Sequence, residues 1–179
     1  DELLKVSRVI LRFEGLDTFA TIFLNGTKIG AADNMFIPWE FPVRRFLVSG
    51  RNVLVVKFAS PSATLERIER EKEKLGTAFY SPRPYGRKAQ YSFGWDWGPR
   101  LPTSGIWKPV SLIAYRDLVI RRLGVTTSLS EDGGAIFHIS AEVESVISSE
   151  VELLVNIRCE GEEHASSIKG DVTPGKGCL

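Results

Sequence analysis

The sequence predicts an all-β protein: a β-sandwich with one short helix, followed by a second, partial sandwich. Three observations carry this. Residues 9–13 alternate apolar Val9, Leu11 and Phe13 with Arg8 and Arg12, the period of a half-buried strand. Residues 19–24 are aromatic and β-branched and end at Asn25-Gly26, whose tolerance of positive φ makes a two-residue hairpin. Residues 52–58 are again β-branched and follow the turn pair Ser49-Gly50.

Each element follows in order. On the first strand Ile10 falls on the face of Arg8 and Arg12, expected to be the solvated one. After Asn25-Gly26 a partner strand is expected through Lys28 and Ile29. Residues 60–76 predict the helix: Ser60 can cap, Pro61 suits the first helical position, Leu65, Ile68 and Leu75 share a face, and Gly76 can close the end. Glu66 with Arg70 and Glu69 with Lys72 then form surface pairs on a solvated face. Strand character resumes over residues 106–114, and the boundary falls at Tyr115-Arg116-Asp117, giving domains of 1–115 and 116–179. Beyond it, residues 118–120, 136–143 and 151–157 are strands, with a hairpin loop over 131–134. A complete seven-stranded sandwich takes about 100 residues, so this unit is expected to be truncated. Residues 161–179 are polar and Gly-rich, as expected of a mobile tail or loop.

Composition excludes several classes. Twenty-three basic residues nearly balance twenty-two acidic ones, and a net charge of +1 sets up no field for phosphates or anionic lipid, so nucleic acid is not an expected partner. No apolar run approaches the roughly 18 to 20 residues of a membrane helix, so no membrane partner is expected either. The start, Asp1-Glu2-Leu3-Leu4-Lys5, has no basic, apolar and small-residue sequence of a secretory leader. The cytoplasm is the leading expectation, with the compartment left open. Cys159 and Cys178 lack paired spacing and sit with neither His138 nor His164, so neither a metal nor another cofactor is expected, and the thiols are read as buried or idle. Asn25-Gly26-Thr27 also fits a glycosylation acceptor, but backbone geometry already explains an Asn-Gly pair there.

Residues 77–102 are crowded with aromatics, Gly and Pro, too irregular for a regular element and too apolar for a linker. Within them, Trp95 and Trp97 flank Asp96. Sugars present hydroxyls around an apolar ring face, so an aromatic wall beside a carboxylate has the makeup of a carbohydrate site. The plain alternative makes Trp95 and Trp97 core plugs and Asp96 a turn or capping residue. Arg87, Lys88 and Gln90 either line the same cleft or are solvated surface.

At this point the sequence resembles glycoside hydrolase family 2, in its β-mannosidase branch. The resemblance rests on Leu11-Arg12-Phe13-Glu14-Gly15-Leu16-Asp17-Thr18, Phe23-Leu24-Asn25-Gly26, Asp33-Asn34-Met35-Phe36 with Pro38-Trp39, and Phe93-Gly94-Trp95-Asp96-Trp97-Gly98-Pro99 followed by Gly105-Ile106-Trp107. The Asn-Gly and Gly-Ile-Trp pieces are similar to those of the wider family, including β-galactosidases and β-glucuronidases; Trp-Asp-Trp-Gly-Pro resembles the β-mannosidase branch. The resemblance implies a galactose-binding-like jelly-roll domain lacking its early strands, then part of an immunoglobulin-like sandwich, with a catalytic barrel of the same polypeptide beyond. It implies that Trp95, Asp96 and Trp97 contact a terminal β-mannoside, and that the two catalytic carboxylates lie in the barrel, none in this chain. A free-standing carbohydrate-binding sandwich, the same region of another family 2 glycosidase, and a purely structural domain are the competing readings.

Overall fold

The computed structural model describes residues 2–159 and 161–178. The chain forms two compact units, Asp1–Ala114 and Tyr115–Leu179. The strands are β1 (Arg8–Phe13), β2 (Leu16–Asp17), β3 (Ala20–Leu24), β4 (Thr27–Ala32), β5 (Trp39–Pro42) and β6 (Leu54–Phe58), then the helix α1 (Pro61–Arg70), then β7 (Gly105–Ile106), β8 (Val110–Tyr115), β9 (Leu118–Leu129), β10 (Ala135–Ser145), β11 (Ser149–Cys159), β12 (Glu162–Val172) and β13 (Gly175–Cys178). The all-β fold with one α-helix is therefore what the sequence builds.

In the first unit, one sheet has the order β5-β1-β8 and another β4-β3-β6. Their apolar faces supply one core: Val9, Leu11 and Phe13 from β1 meet Ala20, Ile22 and Leu24 from β3, closed by Ala32, Phe41 and Val43. Phe13 and Phe41 pack edge to face, ring centroids 6.2 Å apart. Ile10 is buried as well, so the second face of β1 is covered rather than solvated. Arg12 stays on that face because it is paired, with Glu14 at 2.6 Å and cross-strand with Glu40 at 3.0 Å. The Glu14 hydrogen bond holds the Arg12 guanidinium above its ordinary range.

The Asn25-Gly26 hairpin forms as read: both residues have positive φ, 50° and 80°, between the antiparallel β3 and β4. Asn25 also anchors the neighbouring loop. Its Nδ2 donates to the Phe46 carbonyl at 2.9 Å and to Asn52 Oδ1 at 2.8 Å, and its Oδ1 accepts from the Val53 amide at 2.8 Å. The atom that a glycan would occupy is thus committed to the turn.

The helix starts as expected, the Ser60 hydroxyl accepting from the Ala63 amide at 3.3 Å, with Pro61 in its first turn. It ends at Arg70, well before Gly76. Pro61 and Leu65 are its buried residues, and Leu75 is exposed with its amide donating to the Tyr85 hydroxyl at 3.2 Å. The expected pairs of Glu66 and Glu69 do not form. Their carboxylates instead accept hydrogen bonds from Tyr80 and Ser81, and the surface pair on this helix is Arg67 with Glu71.

In the second unit, β9 and β10 form a long hairpin with β13 on the outer edge of β10, and β11 pairs with β12. Residues 161–178, expected to be a tail, are therefore largely strand: β12 runs in register with β11 along its whole length, Ser149 opposite Val172 and Cys159 opposite Glu162. Backbone pairing supplies the order that the polar side chains do not announce. Ala141, Val143 and Val172 make the buried core among the described residues, whereas Leu123, Val125, Phe137 and Leu154 are exposed. Cys178 is exposed, not buried, and the side chain of Cys159 lies outside the described residues.

Replacing Asn25 with Ala removes three hydrogen bonds and places a side chain with no compensating bond at positive φ. Each bond is worth roughly 0.5–1.5 kcal/mol and the left-handed backbone about 1–2 kcal/mol. Denaturant unfolding should therefore show a loss of about 2.5 kcal/mol or more; a change within about 0.5 kcal/mol, ordinary for surface positions, would contradict this account of the turn.

Candidate functional site

The irregular segment between α1 and β7 has almost no strand ladder to hold it, so its side chains do. The first anchor is Lys88, which is 1% exposed. Its Nζ donates to Asp17 Oδ2 at 2.5 Å and to the Thr103 carbonyl at 2.8 Å. The other Asp17 oxygen accepts from the Thr18 hydroxyl. Lys88 is thus neither cleft wall nor surface, as the sequence had suggested, but a buried tie between the segment and β2. Nothing local marks it, because its partner lies 71 residues away.

The second anchor is the 33–36 turn. The Met35 amide donates to the Arg87 carbonyl at 3.0 Å, the Ala89 amide reaches Met35 Sδ at 3.0 Å, and Trp107 Nε1 donates to the Met35 carbonyl at 3.2 Å. The third is aromatic. Phe93 is 2% exposed and stacks with Tyr80, centroids 5.4 Å apart, while the Arg100 guanidinium lies 4.4 Å over the Tyr80 ring. Tyr80 donates to Glu66 Oε1 at 2.8 Å; burial first, and then this bond, raise its phenol above the ordinary range and keep it neutral.

From this base a tight turn projects. The Trp95 amide donates to the Gly98 carbonyl at 3.0 Å and the Gly98 amide returns to the Trp95 carbonyl at 3.3 Å, leaving Asp96 and Trp97 at the tip. Gly94 opens the turn at φ 83°, and a Cβ there would stand 3.0 Å from the Gly98 carbonyl oxygen. Both the dihedral and the close approach require glycine.

The predicted site residues separate in a specific way. Trp95 is 53% exposed and Trp97 86% exposed, which rules out the core-plug reading. The Trp95 ring leans on Phe79 with centroids 4.7 Å apart. Together with Tyr91, Ser92, Pro99 and Leu101, the two tryptophans line an open, mainly apolar hollow of about 580 Å³. Asp96 does not line that hollow. It sits exposed at the turn's tip, and its carboxylate accepts no hydrogen bond from any described residue, so it is not a capping residue either. Arg87 is exposed, and Gln90 spends its amide on the carbonyls of Arg83 and Lys88.

Four carboxylates of this unit are already engaged: Asp17 by Lys88, Glu14 by Arg12, Glu66 by Tyr80 and Glu69 by Ser81. Among the described residues, no group of three or more His, Cys, Asp or Glu is placed to hold a metal ion, and no helix is long and apolar enough to cross a membrane. In the second unit, one hollow, of about 450 Å³, is lined by Ile120, Leu123, Val125, Phe137, Leu153 and other apolar residues with Asn156. It lacks the convergent polar groups of a ligand site. The aromatic turn is the stronger candidate.

Residues 1–108 match the glycosyl hydrolase 2 galactose-binding domain-like family. The chain is 43% identical over 113 residues to a β-mannosidase B of Thermothelomyces thermophilus, covering 61% of this chain and 13% of that protein. It is 35% identical over 163 residues to a β-mannosidase B of Neosartorya fischeri, covering 89% of this chain and 19% of the relative. The crystal structure of a β-D-mannosidase from Dictyoglomus thermophilum superposes over the whole chain with a TM-score of 0.94 at 44% identity, using 22% of that structure. A Bacteroides uniformis β-glucuronidase shares the fold at a TM-score of 0.64 and 18% identity. The chain thus spans between 13% and 22% of the length of these mannosidases. It belongs to the glycosyl hydrolase 2 family, as a β-mannosidase-like N-terminal region with the galactose-binding-like domain.

Proposed function

We propose that this chain is the non-catalytic N-terminal region of a retaining exo-β-mannosidase, and that its Trp95-Asp96-Trp97 turn forms part of the site for a terminal β-mannose residue. The observation that carries the reading is the unpaired, exposed Asp96 carboxylate between two exposed tryptophans on a glycine-closed turn. An exposed Trp97 forgoes the gain of burial, and an exposed aromatic cluster of this kind marks a surface that meets something else. A carboxylate there accepts hydrogen bonds from sugar hydroxyls, and the indoles offer an apolar face to the ring.

Bond cleavage with retention needs two carboxyl groups about 5–5.5 Å apart, one as acid and base and one as nucleophile. Asp17, Glu14, Glu66 and Glu69 of this unit are held by structural partners, which supports assigning that pair to a barrel elsewhere in the parent polypeptide. The hollow beside Trp95 and Trp97 keeps a second reading in play, a carbohydrate-binding module that acts unaided.

Two measurements test this. In the full-length enzyme, Asp96→Ala should lower kcat/KM for an aryl β-mannoside about ten- to hundredfold, the value of one charge-assisted hydrogen bond at roughly 1.5–3 kcal/mol. Wild-type kinetics would remove Asp96 from the site. The purified 179-residue chain should neither turn over the aryl mannoside nor bind mannose or manno-oligosaccharides in a calorimetric titration. Turnover would overturn the non-catalytic assignment, and saturable binding would favour the free-standing module.

A further inference from the structure

We propose that Lys88 is a positioning residue for this sugar site: its buried ammonium closes the base of the loop that carries Trp95, Asp96 and Trp97. The inference rests on the reading of that turn as part of the substrate site. Lys88 stands where the loop leaves the fold, and its Nζ holds the Thr103 carbonyl where the loop returns, 15 residues later. The same Nζ is fastened to Asp17 of β2, whose backbone pairs with Gly105 of β7 directly beyond the return. One cation therefore joins the loop's entry, its exit and the sheet bridge beneath it.

A lysine is a costly choice for a position 1% exposed, since a charge is buried only at the expense of its hydration and needs a counter-charge in place. A methionine would pack there without that cost. What the ammonium adds is direction: three donors on one atom, two of them aimed at the Asp17 carboxylate and the Thr103 carbonyl. Lys88 is itself outside the apolar core between the sheets, which residues of β1 to β5 and Val43 build, although Leu16 of that core adjoins Asp17. Its loss should loosen the loop while the sandwich persists. It does not reach the substrate, and it acts through the height and orientation of Asp96 at the tip.

The test uses the full-length enzyme with Lys88→Met, the pair Asp17→Asn with Lys88→Met, Asp96→Ala, and Asp96→Ala combined with that same pair. The Asp17→Asn, Lys88→Met pair leaves no uncompensated buried charge, so it should fold even where Lys88→Met alone does not. Displacing a substrate-positioning group by about 1 Å costs up to about a hundredfold. Loss of Lys88 should therefore lower kcat/KM for an aryl β-mannoside by about ten- to hundredfold in the folded pair. In the Asp96→Ala background the further loss should shrink to about threefold or less, because the group being positioned is gone. A folded pair with wild-type kcat/KM, or an equal loss with and without Asp96, would overturn the positioning role while leaving an impaired Asp96→Ala enzyme as support for the site. Wild-type kinetics for Asp96→Ala would overturn both.

Discussion

An ammonium group withdrawn from water must take its counter-charge along, and the placement of Lys88 against Asp17 follows from that requirement. Breaking such a pair by removing one partner costs about 3–5 kcal/mol, because the survivor is left charged and unsolvated. The pair therefore dictates where the irregular segment lies: Lys88 can be buried only where Asp17 waits, and Asp17 is set by the short β2–β7 pairing. Met35, Phe93 and Tyr80 complete the attachment of a segment in which Lys88 already holds Thr103, 15 residues on.

Above this base the distribution of aromatic residues reverses. Phe93 goes in and Trp97 comes out, four residues apart. The turn between them is short because the reciprocal Trp95–Gly98 hydrogen bonds close it, and Gly94 permits it because no side chain fits against the Gly98 carbonyl. A rigid turn that spends its backbone polar groups on itself leaves its tip side chains free for another molecule. On the proposed function, that is the physical sense in which a sandwich would serve the chemistry of a glycoside hydrolase.

Local chemistry was legible from the residues wherever a short-range rule governs. Asn25-Gly26 declares its hairpin, Ser60-Pro61 declares a helix start, and Trp95-Asp96-Trp97 in a Gly- and Pro-rich stretch declares an ordered, non-regular loop. The misses share one cause, a partner that the local residue pattern does not announce. Lys88 reads as surface until Asp17 is beside it. Glu66 and Glu69 read as helix-face pairs until Tyr80 and Ser81 take them. Ile10 reads as solvated on a face that Arg12, Glu14 and Glu40 convert into a paired layer. Residues 162–172 show no apolar alternation, and their strand exists because β11 offers a full backbone ladder. Family resemblance, rather than periodicity, carried the reading of the aromatic turn as a mannoside contact.

The most direct test is a crystal structure of the full-length enzyme with a mannose-derived glycosidase inhibitor bound. The proposed function predicts an Asp96 carboxylate oxygen about 2.5–3.2 Å from a hydroxyl of the terminal sugar, with an indole of Trp95 or Trp97 against the sugar ring. A sugar held wholly by other residues, with Asp96 still facing solvent, would contradict it.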